Sequence, residues 1–132
     1  RYFNVYGPRE IAKGKYATLI GLFKEKAKNN QKLTVVNPGT QKRNFTHVSD
    51  IVKGMLIVAE SGYGDEFGIG SHDEYSVLGI AQLFNGKIKV LPERKGNRML
   101  ADVITSKTEA LGWRPKECIK SYIEISRNNN WS

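Results

Sequence analysis

The chain opens on Arg1-Tyr2-Phe3-Asn4-Val5-Tyr6-Gly7-Pro8-Arg9, and residues 2–6 constrain what can follow. Four of these five residues are aromatic or β-branched, so the run reads as a strand, with apolar side chains on both faces. Such a strand needs neighbours in a sheet and a layer above and below it. The rest of the sequence offers few long strands to supply them. The opening run is therefore expected to carry an unpaired edge, of the kind that recruits another chain. Gly7-Pro8 ends it, and residues 8–15 form a basic loop.

Periodicity sets out the remaining elements. Tyr16, Leu19, Ile20, Phe23 and Ala27 recur at helical spacing and predict a helix over residues 16–30. Leu33–Val36 is a short β-rich run stopped by the turn Asn37-Pro38-Gly39, and residues 45–48 read as another extended segment. Ser49 is a candidate N-cap for a helix through residue 59, with Val52, Met55, Leu56 and Ala59 inward. A turn at 62–64 precedes an expected strand at 66–70. Ser76 caps a helix through about residue 84, and residues 87–91 alternate as a strand. Thr105 or Ser106 starts a short helix that Gly112 closes. Pro115 suits the start of a last helix with Ile119, Tyr122 and Ile123 on its apolar face, and residues 128–130 read as a frayed end. This alternation implies an α/β fold, with strands too few and short for a full doubly wound sheet.

The 132 residues make one domain of ordinary size, and 39% hydrophobic with 26% charged residues is a globular composition. No apolar run approaches the roughly 18 residues that span a bilayer, so no membrane partner is expected. Cys118 is the single cysteine, which rules out an internal disulfide and a cysteine-built zinc site and favours a reducing, cytoplasmic setting. His47 and His72 are isolated from other ligand types, and no metal is expected. The net charge of +8 fits either a solvated lysine surface or attraction of an anionic ligand. Lys24, Lys26, Lys28 and Lys32 fall on one amphipathic stretch, as the first reading requires. No helix-turn-helix, RNP or zinc-finger signature supports a nucleic acid partner.

Three segments hold polar groups where a phosphate could be bound. Asn4 is the polar member of an apolar strand, so its carboxamide could donate to a ligand oxygen or satisfy its own turn. Arg43 follows a glycine turn and precedes a strand that leads into a helix; it could fork onto a phosphate or pair with Asp50, which caps and charges the helix start. Arg94 and Asn97 lie on a loop after the strand ending at Leu91-Pro92, with Arg98 a competitor for the role and an exposed basic loop the plainer reading. Gly64-Asp-Glu-Phe-Gly68-Ile-Gly70 has a phosphate-loop spacing, but it follows a helix and contains a strand, whereas a dinucleotide fingerprint follows a strand and opens a helix.

Taken in order, "RYFNVYGPR", "RNFTHVSDI", "ERKGNR" and "SKTEALGWRP" resemble the C-terminal half of extended short-chain dehydrogenase/reductase enzymes acting on nucleotide sugars, with UDP-glucose 4-epimerase-like proteins nearest. The resemblance implies a C-terminal substrate-binding subdomain with a few short strands and about five helices. Residues 10–132 would form it, and residues 1–9 would be one strand of a Rossmann-type sheet completed elsewhere. It further implies NAD as cofactor, with Phe3 by its nicotinamide end, and a nucleotide sugar such as UDP-glucose or UDP-galactose as partner. Asn4, Arg43, Arg94 and Asn97 would hold the diphosphate and ribose. The backbone amides of Thr34, Val35 and Val36 would read the base, and Tyr16 and Ala17 would lie near the sugar. Asn44 departs from the family's usual Asp beside the arginine. None of the six tyrosines is followed four residues on by lysine, so the family's catalytic Tyr-x-x-x-Lys is absent from this sequence. The chain is accordingly expected to be inactive alone and to self-associate as a homo-oligomer through its N-terminal strand. A 4,6-dehydratase or decarboxylase parent, or a binding module without catalysis, are the alternatives.

Overall fold

The structure, a computed structural model, describes residues 4–64, 67–92 and 105–131. Its elements in chain order are β1 (Val5–Tyr6), α1 (Leu19–Lys28), β2 (Leu33–Val36), β3 (Lys42–Asn44), β4 (Thr46–His47), α2 (Val48–Ser61), β5 (Glu74–Ser76), α3 (Val77–Leu83), β6 (Ile88–Leu91), α4 (Ser106–Ala110) and α5 (Ile119–Asn128). The strands form three two-stranded pairs: β1 with β4 and β2 with β6, both parallel, and β3 with β5, antiparallel. This is the α/β pattern with few short strands and five helices that the sequence predicts.

The opening strand is not left unpaired on both sides. Val5 stands opposite Thr46 and Tyr6 opposite His47. Its partner is β4, within the short extended segment expected at residues 45–48, and among the described residues no strand pairs with the other edge of β1. Tyr6 is 1% exposed and joins the main core with Ile20, Phe23, Leu33, Ile80 and Ile119. Tyr6 meets His47 and Tyr122 through ring contacts of 5.3 and 5.0 Å.

α1 starts three residues later than its apolar spacing suggests. The Thr18 hydroxyl accepts from the Gly21 N–H at 3.0 Å, and a capping threonine cannot itself be helical. Tyr16 and Ala17 therefore belong to the preceding loop, and Tyr16 is 75% exposed. Lys26 and Lys28 in the last turn complement the helix dipole.

α2 reverses its predicted face. Its cap is His47, whose Nδ1 accepts from the Ser49 N–H at 3.1 Å, rather than Ser49. Asp50, Ile51 and Gly54 are buried, whereas Val52, Met55, Leu56 and Ala59 point outward. Gly54 decides this. A Cβ there would lie 2.8 Å from Ile69 Cγ2 and 3.0 Å from Trp113 Nε1, so only glycine lets this side of the helix meet the second core cluster of Ile51, Ile69 and Trp113.

The other differences have local causes. Of the expected strand at 66–70, Glu66 lies outside the described residues and Ile69 forms an isolated bridge. Ser76 caps α3 as predicted, accepting from the Gly79 N–H at 2.9 Å. Gly112, at φ 94°, follows α4 in the left-handed conformation expected of it. Pro115 stands before α5 rather than inside it. The buried Asp50 carboxylate accepts from the Lys116 and Glu117 N–H groups at 3.1 and 2.9 Å, and these contacts hold that segment out of the helix. The chain end turns back instead of fraying freely: the Trp131 ring stacks on Phe84 at 5.1 Å. No described helix is long and apolar enough to cross a membrane.

Candidate functional site

Where β1, β3 and the start of α1 converge, a cleft of about 260 Å³ is lined by Asn4, Val5, Ala17, Thr18, Leu19, Ile20, Arg43 and Phe45. Three residues singled out from the sequence, Asn4, Ala17 and Arg43, line this one space. Each arrives by a different route. Asn4 precedes β1 at φ 37°, a conformation asparagine tolerates better than most residues, and its carbonyl accepts from the Thr46 N–H at 3.3 Å. Arg43 is the middle residue of β3, half-buried and opposite Tyr75 of β5. Ala17 ends the loop ahead of the Thr18 cap.

The Arg43 guanidinium is not spent on Asp50. Asp50 is fully buried and holds Lys116 and Glu117, so it neither pairs with Arg43 nor caps its own helix. Among the described residues no carboxylate lies within ion-pair distance of Arg43. Asn44, in the place of the family's Asp, donates from Nδ2 to the Ser71 carbonyl at 3.0 Å and so ties β3 in position beside it. The first residues of α1 bring the positive end of a helix dipole to the same cleft. A guanidinium, a carboxamide and a helix start lining one cleft have the chemistry to hold an anion with several oxygens.

The other expected site residues lie apart or outside. Thr34, Val35 and Val36 form most of β2. Leu33 N–H donates to the Lys87 carbonyl and Asn37 N–H to the Leu91 carbonyl, both at 2.8 Å. Backbone groups alternate along a strand, so Val35 is directed at β6, while Thr34 and Val36 present theirs to the edge that pairs with no strand among the described residues. Tyr16 is absent from the cleft lining, and Lys15 Nζ sits 5.7 Å from its ring centre. Phe3, Arg94 and Asn97, with the competitor Arg98, lie outside the described residues. The apolar wall of Leu19, Ile20 and Phe45 was not foreseen as part of a site; the Thr18 cap signal, read correctly, would have placed the first two at its mouth.

Titratable groups elsewhere have structural roles. Glu10 accepts from the Gly7 N–H at 3.2 Å and the Tyr122 hydroxyl at 3.1 Å, and pairs with Lys24 at 3.4 Å. Burial, and then the Glu10 carboxylate, push the Tyr122 hydroxyl above its ordinary value; burial, and then Asp73, do the same to Tyr6. His72 reaches the Glu109 carboxylate at 2.9 Å and the Thr105 hydroxyl donates to it at 3.0 Å, and these hydrogen bonds, His72 first, hold Glu109 below the usual carboxylate value. Among the described residues no group of three or more His, Cys, Asp or Glu side chains could hold a metal ion. They also include no cradle for a dinucleotide. Gly62, at φ 69°, terminates α2, so the Gly64–Gly70 spacing follows a helix and opens none.

Residues 1–70 match the NAD dependent epimerase/dehydratase family. A putative UDP-glucose 4-epimerase of Methanocaldococcus jannaschii is 34% identical over 98% of this chain and 45% of its own length. UDP-glucuronic acid decarboxylase 4 of Arabidopsis thaliana is 33% identical over 95% of this chain and 29% of its own. The solved UDP-glucose 4-epimerase of Thermotoga maritima, crystallised with UDP-glucose, superposes with a TM-score of 0.82 at 26% identity over 98% of this chain and 45% of that one. The chain thus spans less than half the length of these relatives. NAD is the cofactor that names the family, and epimerases and decarboxylases of sugar nucleotides are among its members. With a match over more than half of its residues, and relatives aligned along nearly all of it, this chain belongs to the NAD-dependent epimerase/dehydratase family.

Proposed function

We propose that this chain supplies the nucleotide-sugar binding surface of an NAD-dependent sugar-nucleotide epimerase of the UDP-glucose 4-epimerase type. The observation that carries this reading is the meeting of Asn4, Ala17 and Arg43 in one cleft. Arg43 grips the diphosphate through two parallel hydrogen bonds, each charge-assisted bond contributing roughly 1.5–3 kcal/mol. Asn4 donates to a second oxygen. The start of α1 adds its dipole, and Ala17, too small to block the cleft, borders the sugar with Tyr16 in the loop beside it. The open edge of β2, at Thr34 and Val36, reads the base, with Val35 between them holding the strand. Phe3, Arg94 and Asn97 complete the set, Phe3 toward the nicotinamide.

Hydride transfer needs a group this sequence lacks, since no tyrosine precedes a lysine by four residues. Residues 10–132 act as the substrate-binding part, and residues 1–9 join a sheet to which other chain segments contribute the NAD site. The parallel β1–β4 pair and the outward apolar side of α2 suit such a neighbour, because parallel strands are covered on both faces. UDP-glucose or UDP-galactose is the substrate pair, favoured by the ligand of the Thermotoga maritima enzyme. A decarboxylase parent is the second reading, since the Arabidopsis thaliana relative is almost as similar.

The test is turnover. The 132-residue chain with NAD and UDP-glucose should yield no UDP-galactose, and a longer protein containing it should. In that protein Arg43→Ala should raise KM for UDP-glucose at least about tenfold. Epimerisation by the chain alone, or an unchanged KM, contradicts the proposal. Release of carbon dioxide from UDP-glucuronic acid would establish the decarboxylase reading instead.

A further inference from the structure

A second cavity, of about 150 Å³, opens beside α1 and shares no lining residue with the first. Arg9, Lys24 and Lys28 line it against Glu10 and Glu25, with Trp131 at one side. Both carboxylates are already committed. Glu10 is held by the Gly7 N–H, the Tyr122 hydroxyl and Lys24. Glu25 pairs with Lys13 at 3.3 Å and takes the Asn29 amide at 3.4 Å. Lys24 itself is 13% exposed, with Glu10 and the Tyr122 hydroxyl as partners, so one of the three donors of its ammonium group remains for the cavity.

Arg9 and Lys28 are different. Among the described residues neither makes an ion pair or hydrogen bond. Arg9 stands at φ 67°, a left-handed conformation that an arginine adopts at a cost, and it lines this cavity. Lys28 follows Lys24 by one helical turn and so shares its face. With Lys13 offsetting Glu25 from outside and Lys24 offsetting Glu10, two positive charges are left over around a space the size of a small ion. A phosphate group near neutral pH carries about that charge in opposite sign. We infer that this cavity is a second anion site, binding a phosphate dianion either free or as the head of a phosphomonoester.

The site does not depend on the nucleotide-sugar reading, and its test keeps the two apart. The chain has two tryptophans, so a ¹⁵N-labelled sample shows two indole signals, one at the cavity from Trp131 and one from the buried Trp113. Inorganic phosphate, added at constant ionic strength, should shift the Trp131 signal saturably and leave Trp113 still. Arg9→Gly keeps the left-handed backbone while removing the charge, and Lys28→Ala removes the exposed one. Each should weaken binding about tenfold or more, whereas Arg43→Ala should not change it. Repeating the titration with UMP identifies the source: an equal response marks a monoester site, and a response to inorganic phosphate alone marks a site closed around the free ion. A Trp131 signal that does not move, that moves equally with chloride, or that responds regardless of Arg9 and Lys28 overturns the inference. So does loss of binding in Arg43→Ala, which would put the phosphate in the first cleft.

Discussion

Glu10, Lys24 and Tyr122 show how much at the scale of single residues is invisible along the chain. Lys24 Nζ donates to the Tyr122 hydroxyl at 3.1 Å and that hydroxyl donates to Glu10, linking residues 98 and 112 positions apart in sequence. The sequence shows Lys24 only as one of several lysines on a wet helix face. The structure turns it into a nearly buried cation over the Tyr122 ring at 5.1 Å. Burial and the neighbouring carboxylate keep the Tyr122 proton bound, and burial with Asp73 does so at Tyr6. Both groups are thus raised in the fold above the ordinary tyrosine value of 10.0. The stability they confer is fully present below that value and is lost as pH rises beyond it, where the unfolded chain ionises and the folded chain does not. An alkaline titration followed by tyrosinate absorbance should therefore leave at least Tyr6 and Tyr122 un-ionised until the chain unfolds. Smooth ionisation of all six in the folded protein would contradict these assignments. Arg43 and Asn4, by contrast, were singled out from the sequence with a plain structural alternative beside each, and the structure brings both to one cleft.

At the scale of elements, α2 is the instructive failure. Apolar residues surround it so fully that periodicity cannot choose a side, and the choice rests on Gly54, a residue that contributes no hydrophobicity. Gly54→Ala should cost about 1–3 kcal/mol, the usual penalty for overpacking, measured by denaturant unfolding; an unchanged midpoint would mean that Ile69 and Trp113 do not rest on the helix. The reversed face leaves Val52, Met55 and Leu56 49%, 49% and 58% exposed. Changing all three to Lys should leave the stability of the chain within about 0.5 kcal/mol of its parent, since none is in the core. A larger loss in denaturant unfolding would place this side of α2 inside the fold. The helices α3 and α4 were easier: Ser76 marks the start of one and Gly112 the end of the other, whereas the start of α5 is held by Asp73 at Ile119 and by Asp50 just before it, both far away in sequence.

At the scale of the whole molecule, the described residues form two short parallel pairs and one antiparallel pair, and β1, β3 and the start of α1 frame one cleft lined by Asn4, Ala17 and Arg43. Family membership was legible because four segments keep their order along the chain. The cleft was legible only in part: the sequence names Asn4, Ala17 and Arg43 separately, and tertiary packing alone brings them to one wall. The most direct test is to titrate UDP-glucose into the ¹⁵N-labelled chain and follow its backbone amides. The largest shifts should fall on Asn4, on Ala17 through Ile20 and on Arg43, and Arg43→Ala should weaken the apparent affinity about tenfold or more. Shifts elsewhere that ignore Arg43, or no shift at all, would contradict the claim that this chain holds the nucleotide sugar.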